Sequence, residues 1–328
     1  MGSAYTKQSL TTVLFPAHFE ALPSQAGRTL VITGTTSGIG FITARSWLLK
    51  GGTVYGLNRP SERSKKAKTD LTAVATTGKY VQVDCDLQDT DSIDRAITEL
   101  NSLKPSVQVV ACNAGVMALK DVAAKSGYDV QIQTNHFGHF RLIKGVFHLM
   151  SDDKDSRIVM HSSMARRGKP IMPEYFEKNS GGKLGGDGAS MFFGGARWKR
   201  YQQSKLSNVV LSLALNDRLR KSDKSIVACA CAPGLASTEL QHTTHVDGGF
   251  SGYDYIWKFG QSAEDGAIPF THCCMGKGVE GGDFFEPVNK GGMSGPFGKK
   301  KLEKNCVVEK DRDVLWGFSE EACGKWDL

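Results

Sequence analysis

No apolar stretch in this chain approaches the roughly 18 residues needed to cross a bilayer, so a transmembrane helix is excluded. No charged-then-apolar leader opens it, and the start does not read as a secretory signal. None of the 8 cysteines (Cys85, Cys112, Cys229, Cys231, Cys273, Cys274, Cys306, Cys323) forms a C-x-x-C pair, and the 8 histidines lack ligand spacing, so no metal site is expected. Several of the thiols sit in apolar runs, which points to reduced, buried cysteines in a cytosolic-type compartment. A plastid location would require a transit peptide already removed. The net charge of +7 is spread along the chain apart from Lys299, Lys300, Lys301 and Lys304. That cluster reads as a solvated loop; a nucleic-acid protein would show a basic stripe interleaved with aromatics. There is no internal repeat. Met1-Gly2-Ser3-Ala4-Tyr5-Thr6 fits the loose N-myristoylation pattern, and equally a cloning remnant or chance.

What is present is alternation. Residues 1–27 hold Pro16, Pro23 and Gly27 with little period and read as an arm. From residue 28 to the end the pattern is strand, turn, helix, repeated. Strands are expected at 28–33, 53–57, 80–83, 107–112, 157–161, 225–231 and 282–286. Helices are expected at 39–50, 61–76, 91–103, 133–150, 201–220, 262–275 and 311–323. Near-continuous apolar strands between helices imply one doubly wound parallel sheet with helices on both faces, a Rossmann-type α/β domain. Two stretches interrupt the rhythm, at about 168–197 and 235–260. The first is rich in glycine (Gly181, Gly182, Gly185, Gly186, Gly188, Gly194, Gly195) and too long for an ordinary connection. It is either a functional lid or a mobile segment.

Thr33-Gly34-Thr35-Thr36-Ser37-Gly38-Ile39-Gly40 lies between the first strand and first helix. Gly34 permits the tight turn, Gly38 lets backbone approach a pyrophosphate, and Gly40 allows close helix–strand packing. The second strand ends Leu57-Asn58-Arg59. An NAD site would want an acid there for the ribose 2′-hydroxyl. Asn58 and Arg59 offer a 2′-phosphate no repulsion, and Arg59 can pair with it, so NADP(H) is the expected cofactor. Ser37 adds a hydroxyl. Asp86-Leu87 follow the third strand, at the adenine position or as a helix cap. Further on, Tyr201 and Lys205 stand four apart on a helix and so share one face. A cation near a phenol lowers its pKa from about 10, making a tuned acid/base for a carbonyl or alcohol.

Taken in order along residues 28–323, these motifs resemble the short-chain dehydrogenase/reductases. Thr33–Gly40 is similar to that family's T-G-x3-G-x-G turn. Cys112-Asn113-Ala114-Gly115 resembles its N-N-A-G segment, with cysteine replacing the first asparagine. Tyr201–Lys205 resembles Y-x3-K, and Pro233-Gly234 with Thr238 resembles P-G-x3-T. The resemblance implies Ser163, Tyr201, Lys205 and Asn135 as catalytic residues, Asn135 holding a water that links Lys205 to solvent. It implies cofactor contacts from Gly34, Thr36, Ser37, Gly38, Ile39, Gly40, Asn58, Arg59, Asp86, Leu87, Asn113, Ala114, Gly115, Tyr201, Lys205, Pro233, Gly234 and Thr238. It also implies homo-oligomers through the helices of Asn135 and Tyr201, although the long C-terminal stretch could block one such interface.

Within the family, Thr134–Phe140, Tyr201–Asn208, Glu264–Ala267 and Leu315–Glu320 look most like the retinol-dehydrogenase-like branch, which is similar to the light-dependent protochlorophyllide reductases. The glycine-rich insertion matches neither. The implied activity is hydride transfer between nicotinamide and the carbonyl or alcohol of an apolar substrate of retinoid, isoprenoid, steroid or long-chain type. The alternatives are a light-dependent tetrapyrrole reductase and a non-catalytic NADP(H)-sensing scaffold. Met191, Phe192, Phe193, Trp198, Phe250, Tyr253, Tyr255, Ile256 and Trp257 either line an apolar ligand site or pin the two long loops.

Overall fold

The run Thr29–Thr33 is apolar and β-branched at consecutive positions, which suits a strand covered on both sides. In the computed structural model, which describes residues 10–189, 194–249 and 260–328, it becomes β1 (Thr29–Thr33), and the sheet grows from it in both directions. β2 (Thr53–Asn58) and β3 (Tyr80–Asp84) add on one side. β4 (Val109–Cys112), β5 (Arg157–His161), β6 (Val227–Cys231) and β7 (Phe284–Asn289) add on the other, all parallel. β8 (Ser294–Lys299) closes that edge antiparallel, giving the order β3-β2-β1-β4-β5-β6-β7-β8. The chain therefore reverses direction across the sheet between β1 and β4. In such sheets that point opens a crevice at the carboxyl ends of the strands, where ligands bind.

The helices are α1 (Phe15–Ala21), α2 (Gly38–Leu49), α3 (Glu62–Ala73), α4 (Thr90–Leu103), α5 (Val130–Ile132), α6 (Gly138–Val146), α7 (Ala196–Lys221), α8 (Glu239–Val246), α9 (Ala263–Met275) and α10 (Glu309–Cys323). One apolar layer joins the sheet to α2 and α9 through Trp47, Leu48, Phe270 and Met275. The other joins it to α4, α6, α7 and α10 through Leu100, Phe140, Val210 and Leu315.

Five departures from the sequence pattern have physical causes. The expected helix over 133–150 is broken into α5, a π-helical turn Gln133–Phe137, α6 and a 3-10 turn. A π turn accommodates one extra residue, and such turns gather at functional sites. The helix expected from Tyr201 begins at Ala196, because Arg197 and Arg200 are buried and paired there. The arm contains α1, whose N-terminus is capped from afar: the Asp265 carboxylate accepts the Val13, Leu14 and Phe15 amides at 2.9–3.0 Å. α8 lies inside the second long loop. β8 was unexpected because Ser-Gly-Pro-Phe-Gly-Lys has no alternation, and its proline is tolerated only at an edge.

Candidate active site

The turn after β1 is built by side chains from the next two strands. Asn58, at the end of β2, accepts the Thr35 amide at 2.7 Å and donates to the Thr35 hydroxyl at 2.8 Å and the Tyr80 hydroxyl at 3.1 Å. Asn58 is 3% exposed, so its side chain is spent on the shape of the turn. An amide is needed because it must donate and accept at once, and Asn58 still lines the cleft beside Arg59. Gly34 has φ +75°, and a Cβ on Gly40 would stand 2.1 Å from the Gly34 carbonyl. Only glycine lets the first turn of α2 sit on the loop, with its free amides toward the crevice.

Thr33 fastens the opposite wall. Its hydroxyl accepts the Asn113 and Ala114 amides, both at 3.0 Å, and so donates its proton to His139 Nε2 at 2.9 Å. His139 Nδ1 donates to the Asn135 carbonyl at 3.0 Å. This requires a neutral ring, and burial lowers the His139 pKa to about 4. Asn113 Nδ2 donates to the Thr33 and Gly34 carbonyls while its Oδ1 accepts from His161 Nδ1 at 2.9 Å. The Asn135 side chain accepts the Val116 amide at 2.8 Å and donates to the Val116 carbonyl and Ser204 hydroxyl, both at 2.9 Å. Its main-chain carbonyl and its side chain are thus all engaged within the fold. Asn135 stands behind Gly115, its side-chain oxygen 3.0 Å from where a Cβ on that glycine would lie.

Tyr201 and Lys205 share one face of α7, 3% and 4% exposed. The Ser163 hydroxyl lies beside the Tyr201 phenol and accepts the Ala165 amide at 3.2 Å. Lys205 Nζ donates to the His161 carbonyl at 3.1 Å and lies 5.8 Å from the Tyr201 ring centre. Burial drives the Tyr201 pKa well above the usual phenol value, with Ser163 pulling the other way. Burial lowers Lys205 to about 8. The expectation that Lys205 makes the phenol acidic is therefore corrected: desolvation of both groups outweighs their mutual effect at this separation.

These residues face one cleft of about 1110 Å³. Its walls include Gly34, Thr36, Ser37, Gly38, Ile39, Gly40, Asn58, Arg59, Asp86, Leu87, Asn113, Ala114, Gly115, Ser163, Tyr201, Lys205, Pro233, Gly234 and Thr238. That volume exceeds the roughly 300–1,000 Å³ of an ordinary small-molecule pocket and suits a dinucleotide with a substrate. Arg59 is exposed at the mouth, where no ion pair holds it among the described residues. Nearby, Arg63 of α3 reaches Glu239 of α8 at 3.8 Å. The amides of the turn and the glycine approach form a donor set that fits the pyrophosphate of a dinucleotide. Among the described residues, no group of three or more His, Cys, Asp or Glu is placed to hold a metal.

Around Tyr201 the wall is apolar: Met117, Ala118 and Trp198 pack with it, Ala165 and Leu240 alongside. The Trp198 ring meets the Tyr201 ring edge-on at 5.8 Å and its Nε1 donates to the Gly249 carbonyl at 2.9 Å. Met191, Phe192, Phe193, Phe250, Tyr253, Tyr255, Ile256 and Trp257 lie outside the described residues.

The described part of the glycine-rich insertion is strapped down. The Asp121 carboxylate accepts the Gly182, Leu184 and Gly186 amides at 2.9–3.1 Å, and Arg200 donates to the Leu184 and Gly186 carbonyls. Asp121, Arg200 and His161 escape a motif search because their partners lie far away in sequence. His139 carried one signal, its position one turn beyond Asn135.

Residues 28–176 match the family model described as short chain dehydrogenase. An uncharacterized oxidoreductase from Schizosaccharomyces pombe is 29% identical over 68% of this chain and 64% of its own, so the chain spans just under two thirds of that relative. Retinol dehydrogenase 13 from Mus musculus is 28% identical over 93% of this chain and 90% of its own. Among solved structures, an uncharacterized protein from Mycobacterium Paratuberculosis superposes with a TM-score of 0.72 at 26% identity, covering 94% of this chain and 98% of that one.

Proposed function

We propose that the chain is a short-chain dehydrogenase/reductase, an NADP(H)-dependent oxidoreductase acting on the carbonyl or alcohol of an apolar substrate. The observation that carries this reading is that Ser163, Tyr201 and Lys205 line one long cleft that also presents Arg59 and no acid at the close of β2.

When bound, a nicotinamide supplies or takes the hydride. The chain's own residues do the rest. Ser163 holds the substrate oxygen by its hydroxyl. Tyr201 gives that oxygen a proton in the reductive direction and takes it back in the other. Lys205, held at the His161 carbonyl, presents its ammonium to the cofactor ribose. Asn135 sets the Gly115–Val116 backbone. Pro233, Gly234 and Thr238 close the nicotinamide end, and the first turn of α2 receives the pyrophosphate. Met117, Trp198 and Leu240 favour an apolar chain or ring beside the reacting carbon, as in the retinoids named by the mouse relative.

The test is turnover of a panel of apolar aldehydes and ketones, all-trans-retinal included, with NADPH and with NADH. Reduction of at least one with NADPH preferred is expected, and no turnover with either cofactor would refute the reading. Arg59→Ala is expected to weaken NADPH binding by about tenfold or more, the worth of one charge-assisted contact, while NADH affinity stays the same. Equal losses for both cofactors, read by nicotinamide fluorescence, would remove Arg59 from 2′-phosphate recognition. Trp198→Ala is expected to shift the kcat/KM ranking toward bulkier carbonyls by about tenfold, with NADPH affinity unchanged. An unaltered ranking would take the indole out of the substrate wall.

A further inference from the structure

Immediately after Ser163 the chain buries a charge. Arg166 has no exposed surface, and its guanidinium stacks 4.1 Å from the centre of the Phe284 ring. Nη1 meets Glu286 Oε2 at 3.0 Å. Nε and Nη2 donate to the two oxygens of Glu303 at 3.0 and 2.8 Å. Arg167 shares both carboxylates, at 3.0 Å to Glu286 and 2.8 Å to Glu303, so two cations face two anions. Arg166 Nη1 also donates to the Ser163 carbonyl at 3.2 Å. The Arg166 carbonyl in turn accepts from Gln202, the neighbour of Tyr201, at 3.1 Å and from Asn305 at 2.9 Å. Ser163 caps the short 3-10 turn Met164–Arg166, so the turn is gripped from the catalytic helix on one side and the C-terminal third on the other.

Burying such a cluster is a poor route to stability, since apolar residues of similar volume commonly do as well or better. What a guanidinium supplies instead is fixed geometry: planar donors in set directions, which a lysine does not reproduce. Here one of those donors ends on the Ser163 main chain, beside the Tyr201 phenol, while Glu286 and Glu303 hold the plane of the group. We propose that Arg166 is a positioning residue, which together with Glu286 and Glu303 fixes the Ser163 backbone so that its hydroxyl is presented to Tyr201 and the substrate oxygen. The inference rests on the functional reading above. It extends that site to Glu286 and Glu303, which lie beyond the segment matched by the family, residues 28–176.

The test is a double-mutant cycle of Arg166→Lys and Ser163→Ala with NADPH and the panel carbonyl that the unaltered protein reduces fastest. Arg166→Lys is expected to lower kcat about tenfold on the native background, with NADPH affinity and carbonyl KM within about threefold. On the Ser163→Ala background the same change is expected to cost less than about twofold, because the group it positions has gone. A loss of similar size on both backgrounds, or none on the native one, would overturn the proposal; a purely structural role gives the first of these. Thermal unfolding and NADPH binding check that each variant is folded. If Arg166→Lys does not fold, Glu303→Gln at the more exposed end of the cluster takes its place, with a loss of about threefold expected to vanish in the Ser163→Ala protein. Absence of turnover by the unaltered protein removes the functional reading and this inference together, whereas an additive cycle removes the inference alone.

Discussion

Replacing Tyr201 by phenylalanine is expected to lower kcat by about 10³-fold while leaving NADPH affinity within about threefold. The ring is 3% exposed and packs edge-on against Trp198, and phenylalanine keeps that shape. What disappears is one hydroxyl, the neighbour of Ser163. Burial keeps the phenol protonated at neutral pH, so in the reductive direction it stands ready as a donor before any substrate arrives. A positioned acid contributes about 10²–10⁴ in rate. Single-turnover measurements with NADPH separate the chemical step from product release. Survival of more than about a tenth of the native single-turnover rate would mean the proton comes from elsewhere. Weakened NADPH binding with an intact rate would instead make Tyr201 a cofactor contact only.

How much of this was readable beforehand depends on whether a feature is local. β1 and the glycine turn were legible because three glycines at fixed offsets meet one steric need, the approach of α2 to the loop. Tyr201 and Lys205 were legible because helical spacing alone puts them on one face. Asn58 was only half legible: its position at the cleft follows from the strand end, but its bonds to Thr35 and to Tyr80 on a different strand do not. The π turn around Asn135 was hidden because its sequence is an unremarkable helical run; only the sites of the Asn135 hydrogen bonds show why the helix is interrupted. Arg166, Arg200 and Asp121 look like ordinary surface charges in sequence. Their partners, Glu286 and Glu303 for one and the insertion backbone for the others, lie far along the chain or on main-chain atoms, which composition and period cannot register. The Tyr201 pKa departs from expectation for a related reason: charge proximity is guessed from spacing, but depth of burial is a property of the whole fold.

Lys205→Met is expected to lower kcat/KM for NADPH by at least about 10²-fold and to erase a falling limb that the native protein shows near pH 8. That ratio reports groups on the free enzyme, and burial has lowered Lys205 to about 8. Below that pH the amine carries its proton and can face the ribose; above it the charge is lost, so activity falls as pH rises. The same burial has a stability sign that runs the other way. An unfolded chain holds this proton up to 10.5, the folded one only to about 8. Between those values the unfolded state binds more protons, so this group makes the protein more stable as pH rises through the window. Below about pH 8 its cost is present in full, on the order of 3 kcal/mol by the size of the shift. Methionine of similar volume carries no such cost. The variant is therefore expected to melt higher than the native protein at pH 7 and to lose the native rise in stability between pH 8 and 10, while turning over far more slowly. Calorimetric melting across that range, run beside the pH–rate profile, reads both signs at once. A native profile flat from pH 7 to 9.5, or a methionine variant that melts lower at pH 7, would show that the ammonium is better solvated than its burial implies.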